Sequence, residues 1–146
     1  MKIQNYAMMA IAAGLLAACG GSSKVVDTTD VASAITSANG AKVYFDFDQS
    51  AIRPDARAGL LAQSAYLKAN PNTNVQVAGN CDERGTREYN LALGWRRANA
   101  SKAILVKDGI DPARVSTISF GKEKPYKLGT GEDVWMWNRN TTTTVQ

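Results

Sequence analysis

Hydrophobic and polar positions alternate along residues 42–47, where Val43, Phe45 and Phe47 stand against Tyr44 and Asp46. A period of two is the pattern of a half-buried strand, because successive side chains leave opposite faces. The pattern then changes. Pro54-Asp55 opens a stretch in which Ala58, Leu61, Ala65 and Leu67 supply an apolar helical stripe until Asn70-Pro71 stops it, since proline suits the first turn of a helix and breaks its interior. Val75, Val77 and Gly79 mark a second strand. A polar loop over residues 80–88 leads to a second helix from about Asn90 to Asp108, with Leu93, Ala100 and Ile104 on one side and Gly109 placed to end it. Asp111-Pro112 reads as a turn or short helix start, residues 115–120 as a third strand and residues 121–131 as a long loop. The tail, residues 138–146, carries four consecutive threonines and Val145 and fits a strand by β-propensity. The order strand, helix, strand, helix, strand, strand predicts a two-layer α/β (α+β) sandwich with both helices on one face of a mixed sheet.

The chain upstream of residue 41 shows no such order. Residues 20–40 are rich in Ser, Thr and Gly with scattered apolar positions and no clear period. They read as a flexible tether with a reach of roughly 25 Å. Before it, Lys2 and the apolar residues 7–18 end in Leu16-Ala17-Ala18-Cys19. A short positive region, an apolar run and small residues describe an export signal, and a Cys directly after them resembles a bacterial lipobox, whose thiolate accepts a diacylglyceryl group. The apolar run is also shorter than the roughly 20 residues a spanning helix needs. The expected partition is a signal peptide over residues 1–18, a lipid-anchored tether over 19–40 beginning at acylated Cys19, and one folded domain over 41–146. Gly20, rather than Asp, follows the anchor, which by the usual sorting pattern indicates the outer membrane, with the domain facing the periplasm.

Composition removes several chemistries. The chain has no histidine, so nucleophilic sites built on Ser-His or Cys-His pairs and His-containing zinc sites are excluded. No cofactor or metal is expected. The net charge of +4 is not gathered into a Lys/Arg block of the kind that binds nucleic acid, and an exported, tethered domain meets wall polymer and lipid instead. With Cys19 acylated, Cys81 is left as a single thiol; as a small residue at a strand end it is expected to pack rather than react.

The candidate chemistry lies in Gly79-Asn80-Cys81-Asp82-Glu83-Arg84-Gly85-Thr86 and the following Tyr89-Asn90-Leu91-Ala92-Leu93-Gly94-Trp95-Arg96-Arg97-Ala98. Asp82 sits just past a strand end and Arg97 in the helix beyond it, and a loop that folds back brings them together. A carboxylate and a guanidinium in one cleft, not neutralising each other, form a receptor for a zwitterion: the first takes an ammonium, the second a carboxylate through its two-pronged donors. The ordinary alternative is a surface ion pair of little consequence. Glu83 and Arg84 read as solvated loop charges, and Asn90 either caps the helix, fixes the loop or touches ligand.

These residues, with Val43-Tyr44-Phe45-Asp46-Phe47-Asp48 and Gly121-Lys122-Glu123-Lys124-Pro125, resemble the OmpA C-terminal-like family over roughly residues 41–139, and among its branches the lipid-anchored one. The resemblance implies peptidoglycan as partner, bound without covalent chemistry through the diaminopimelate of its stem peptide. Asp82 and Arg97 would be the primary pair, with Asn90 beside them and Asp46, Phe47 and Thr86 completing the wall, some through backbone amides. It also implies a tether between outer membrane and wall, in a Tol-Pal system with a TolB-like periplasmic protein in cell division and envelope integrity. A structural spacer without ligand affinity and a wall-processing enzyme are the alternatives. Besides Cys81, which stands where the family usually has a small or hydroxyl residue, two departures from the family pattern stand out. Trp95 occupies a usually polar helix position, either as a partner contact or packed on residues 134–137. Asn138-Arg139-Asn140 followed by threonines replaces an apolar terminal strand, so the tail is expected to be the weak edge of the sheet.

Overall fold

The computed structural model describes residues 28–146; Cys19, its lipobox and the expected signal peptide lie outside the described residues. The chain forms α1 (Thr28–Thr36), β1 (Ala41–Tyr44), α2 (Pro54–Ala69), β2 (Val75–Asn80), α3 (Arg87–Lys107), a 3₁₀ turn at Pro112–Arg114, β3 (Val115–Gly121), α4 (Glu132–Asn138) and β4 (Asn140–Val145). The sheet runs β1-β4-β2-β3 and is mixed. β2 and β3 are parallel, whereas β4 is antiparallel to both of its neighbours. Ala41, Val43, Val75, Val77 and Val115 turn inward to meet Leu60 and Leu67 of α2 and Ala98 and Leu105 of α3. The two-layer sandwich with its two long helices on one sheet face is therefore present.

Four details differ from the sequence reading. The stretch expected to be a tether contains α1, whose Val31 and Ile35 are buried; two apolar residues one helical turn apart suffice to dock a short helix, and the ordered unit begins before residue 41. The buried stripe of α2 is Ala56, Leu60, Gln63, Ser64 and Leu67, so Ala58, Leu61 and Ala65 face outward; two of the buried positions are polar, which hid the true stripe. The segment between residues 121 and 138 is not all loop, because Glu132–Asn138 closes into α4. Finally, β4 is no edge. It lies between β1 and β2, with Thr141 and Thr143 fully buried. A last strand can be central when it enters antiparallel between two strands laid down earlier, and pairing order is not carried by local pattern.

Candidate ligand-binding site

β2 delivers the chain to the loop at residues 81–86, and Thr86 starts α3 by accepting a hydrogen bond from the Tyr89 amide at 3.1 Å. The helix thus begins three residues before Asn90, and Thr86 rather than Asn90 is its cap. Asn90, buried in the first turn, donates from its amide to the carbonyls of Arg84 at 2.7 Å and Thr86 at 3.0 Å, pinning the loop against the helix. α3 is set hard against the sheet. A Cβ at Gly79 would stand 1.8 Å from the Gly94 carbonyl oxygen, and one at Gly94 would stand 2.2 Å from Ser119 Oγ. Only glycine at both positions permits this approach, which fixes Asp82 relative to Arg97.

Arg97 is completely buried. Its guanidinium donates to the carbonyls of Gln49 at 2.8 Å, Asn80 at 2.9 Å and Asp46 at 3.1 Å, and lies 5.2 Å from the centre of the Phe45 ring. No carboxylate forms an ion pair with it among the described residues. Burial pushes its pKa down, opposed by neighbouring Cys81 and Asp82, yet guanidinium stays protonated in proteins. A buried cation hydrogen-bonded to carbonyl dipoles, with Asp82 and Asp48 acting on it only from outside ion-pair distance, is partly compensated, and a further nearby anion would be stabilised.

Asp82 is also buried, but it is paired. Oδ1 accepts from the amide and Nε of Arg84, both at 3.1 Å; Oδ2 accepts from Arg84 Nη2 at 2.8 Å and Arg139 Nη1 at 3.4 Å. Burial raises its pKa, but the hydrogen bonds and charge of Arg84 and the bond from Arg139 outweigh this and hold the carboxyl below the ordinary range. Arg139 in turn grips Glu132, whose carboxyl that contact lowers.

A cleft of about 190 Å³ opens between the two groups. Phe47, Asp82, Asn90 and Arg97 line it, joined by Asp48, Cys81, Arg84, Gly85, Tyr89 and Leu93. Of the residues expected at the site, these four meet there. Asp46 and Thr86 do not: the Asp46 carboxylate turns away to Arg53 at 3.3 Å, leaving only its carbonyl on Arg97, and Thr86 is occupied as the helix cap. The alternation that predicted an inward Phe47 also ends early. β1 stops at Tyr44, although Phe45 still exchanges bonds with Arg139. The chain then turns through Asp48, at φ 54°, leaving Phe47 55% exposed at the cleft. The amides of Phe47 and Asp48 donate to no acceptor among the described residues.

Sequence reasoning passed over Arg84, Arg139 and Tyr89. Arg84 is no solvated charge; besides gripping Asp82 it lies over the rings of Phe47 at 3.7 Å and Trp135 at 4.0 Å. Glu83 Oε1 holds Trp135 Nε1 and Thr130 Oγ1, each at 2.9 Å. Local sequence does not mark these roles, since Phe47 comes from the turn after β1 and Thr130 and Trp135 from some 50 residues downstream. Tyr89 donates its hydroxyl to Asp48 across the cleft. Trp95 is 40% exposed, while the tryptophans of α4 pack elsewhere, Trp135 on Arg84 and Trp137 edge-on to Tyr44 at 5.5 Å between centres.

A mixed four-stranded sheet under two long helices, with a cleft at the strand–helix junction behind which an arginine is buried, defines a two-layer α/β domain with a ligand-sized cleft at one end. The model of the OmpA family matches residues 44–135. The peptidoglycan-associated lipoprotein of Pasteurella multocida is 40% identical over 142 residues, covering 94% of this chain and 95% of that protein. That of Agrobacterium fabrum is 44% identical over 106 residues, 73% of this chain, and the chain spans only 60% of that relative's length. The crystal structure of the peptidoglycan-associated lipoprotein from Burkholderia pseudomallei superposes with a TM-score of 0.69 at 43% identity, covering 72% of this chain and 89% of that one. The C-terminal domain of Helicobacter pylori MotB, at TM-score 0.67 and 18% identity over 72% of this chain and 83% of that one, shares the fold. This chain belongs to the OmpA family, and within it resembles the peptidoglycan-associated lipoproteins.

Proposed function

We propose that this protein is an outer-membrane lipoprotein, anchored through Cys19 and facing the periplasm, that binds peptidoglycan non-covalently and tethers the membrane to the wall. Meso-diaminopimelate in the stem peptide carries an ammonium and a carboxylate on one terminal carbon. The ammonium belongs with Asp82; the carboxylate belongs with the free amides of Phe47 and Asp48, over the charge of Arg97. Arg97 acts from beneath, fixing the backbone at Asp46 and Gln49 that presents those amides. The observation that carries the reading is this wholly buried guanidinium without an ionic partner, lining an open cleft with a carboxylate opposite. The names of the relatives support peptidoglycan as the ligand, and the same resemblance supports work with a TolB-like periplasmic protein in a Tol-Pal system during cell division and envelope maintenance. Binding requires no bond cleavage, and none is assigned to the cleft.

Calorimetry with the tripeptide L-Ala-D-Glu-meso-diaminopimelate tests this. Removing one partner of a desolvated, hydrogen-bonded charge contact costs about 2–5 kcal/mol, so Asp82→Ala should lose at least thirtyfold in affinity, and Arg97→Lys, which keeps the charge but lacks the fork that holds three carbonyls, should also bind more weakly, both retaining native circular dichroism. Undiminished binding by either folded variant contradicts the assignment.

A further inference from the structure

The Asp82 carboxylate that the ligand ammonium needs is already filled. Arg84 places Nε and Nη2 on its two oxygens at 3.1 and 2.8 Å, and its guanidinium carbon lies 3.7 Å from the centre of the Phe47 ring and 4.0 Å from that of Trp135. Two aromatic faces and a terminal carboxylate are what an organic cation requires of a binding site. Trp135 is held in place independently, by its bond to Glu83. We propose that the Phe47–Trp135 slot ending at Asp82 is a binding subsite for an organic cation, occupied by Arg84 in the free protein, and that the ligand's ammonium enters it by displacing Arg84.

The geometry allows the exchange. The Arg84 side chain is 30% exposed, so it has a way out to solvent, and Glu132 Oε2 already stands 3.9 Å from Nη2 as an alternative partner. The loop does not depend on the side chain: the Arg84 amide bonds Asp82 and its carbonyl accepts from Asn90, both through backbone atoms. Arg139 keeps Asp82 in position when Arg84 leaves. Arg84 then acts as an internal competitor, and the measured affinity is the intrinsic affinity reduced by the fraction of molecules with an open slot. The entry of the stem-peptide ammonium rests on the function proposed above; the cation slot itself does not.

Arg84→Gln separates the two. In the folded variant, ethylguanidinium should bind at millimolar concentration and change tryptophan fluorescence, whereas the unaltered protein should give no saturable change. The signal should vanish in Arg84→Gln/Trp135→Phe, which removes the reporter among the three tryptophans and keeps an aromatic ring. The tripeptide should bind Arg84→Gln about threefold or more tightly than the unaltered protein, and ethylguanidinium should compete with it only in the variant. Absence of an ethylguanidinium response in Arg84→Gln overturns the slot. A tripeptide affinity that is unchanged or weaker in Arg84→Gln overturns displacement. Failure of the unaltered protein to bind tripeptide, with the ethylguanidinium response intact, overturns the peptidoglycan reading alone.

Discussion

Asp82 and Cys81 are adjacent, equally buried, and opposite in chemistry. Burial pushes the Cys81 thiol up to about 11, against the lowering effect of Arg97, and Sγ donates to the Asn90 carbonyl at 3.3 Å. A protonated, inaccessible thiol is a poor nucleophile. Iodoacetamide at pH 7.5 should therefore leave Cys81 unlabelled in the folded protein and label it fully in guanidinium chloride; rapid native labelling would show an exposed thiolate. Asp82 gives the fold an acid limit. Its pKa and that of Glu132 lie below their ordinary values of 3.8 and 4.5, so the unfolded chain binds more protons in that range. Stability is then fully present above about pH 5 and lost as the pH falls through the depressed folded values. The melting temperature should be flat from pH 5.5 to 7 and drop below pH 4. The drop should be shallower in Asp82→Asn, which removes the buried carboxylate and leaves the exposed Glu132. Equal slopes would place the acid sensitivity elsewhere. At this scale the sequence pointed to Asp82 and Arg97 near one cleft, but not to their burial, nor to the grip of Arg84 and Arg139 on Asp82: Arg84 is a loop neighbour that reads as solvated, and Arg139 arrives only where the chain leaves α4.

Among the elements, β4 departs most from expectation. Threonines in place of an apolar terminal strand suggested a weak edge; the sheet order places the strand between β1 and β2, hydrogen-bonded on both sides. Amides of β4 should thus exchange as slowly as those of Val75–Val77 rather than open locally, and fast exchange at Thr141 and Thr143 would contradict the strand order. The two buried threonines are not equivalent. Thr141 Oγ1 meets Ser101 Oγ at 2.9 Å, whereas Thr143 Oγ1 is buried without a partner. Thr143→Val removes an unsatisfied hydroxyl and should stabilise by about 1 kcal/mol, raising the melting temperature by roughly 4–8 °C. Thr141→Val leaves the Ser101 hydroxyl unpaired and should destabilise by about 1–2 kcal/mol. The strands and the two long helices could be read from periodicity and punctuation. The buried face of α2 and the existence of α1 could not, because Gln63 and Ser64 interrupt one apolar stripe and the other is only two residues long.

For the whole molecule, the proposed receptor and the proposed anchor lie in different parts of the sequence: the cleft at the β2–α3 junction, the expected lipid on Cys19. Anchoring and wall binding should then fail separately. Cys19→Ser should abolish incorporation of labelled palmitate yet leave tripeptide affinity unchanged, whereas Asp82→Ala should do the reverse; continued labelling of Cys19→Ser would refute the anchor. Resemblance to the family points to peptidoglycan as the proposed partner. What it left open was how a carboxylate already paired with arginine could accept a second cation, which only the arrangement of Phe47, Arg84 and Trp135 brings into view. The most direct test of the central claim is retention on purified sacculi with and without free meso-diaminopimelate. The unaltered domain should pellet with sacculi, the free amino acid should release it in a concentration-dependent way, and Asp82→Ala should stay in the supernatant throughout. Retention that the amino acid does not relieve, or that Asp82→Ala retains in full, would contradict that claim.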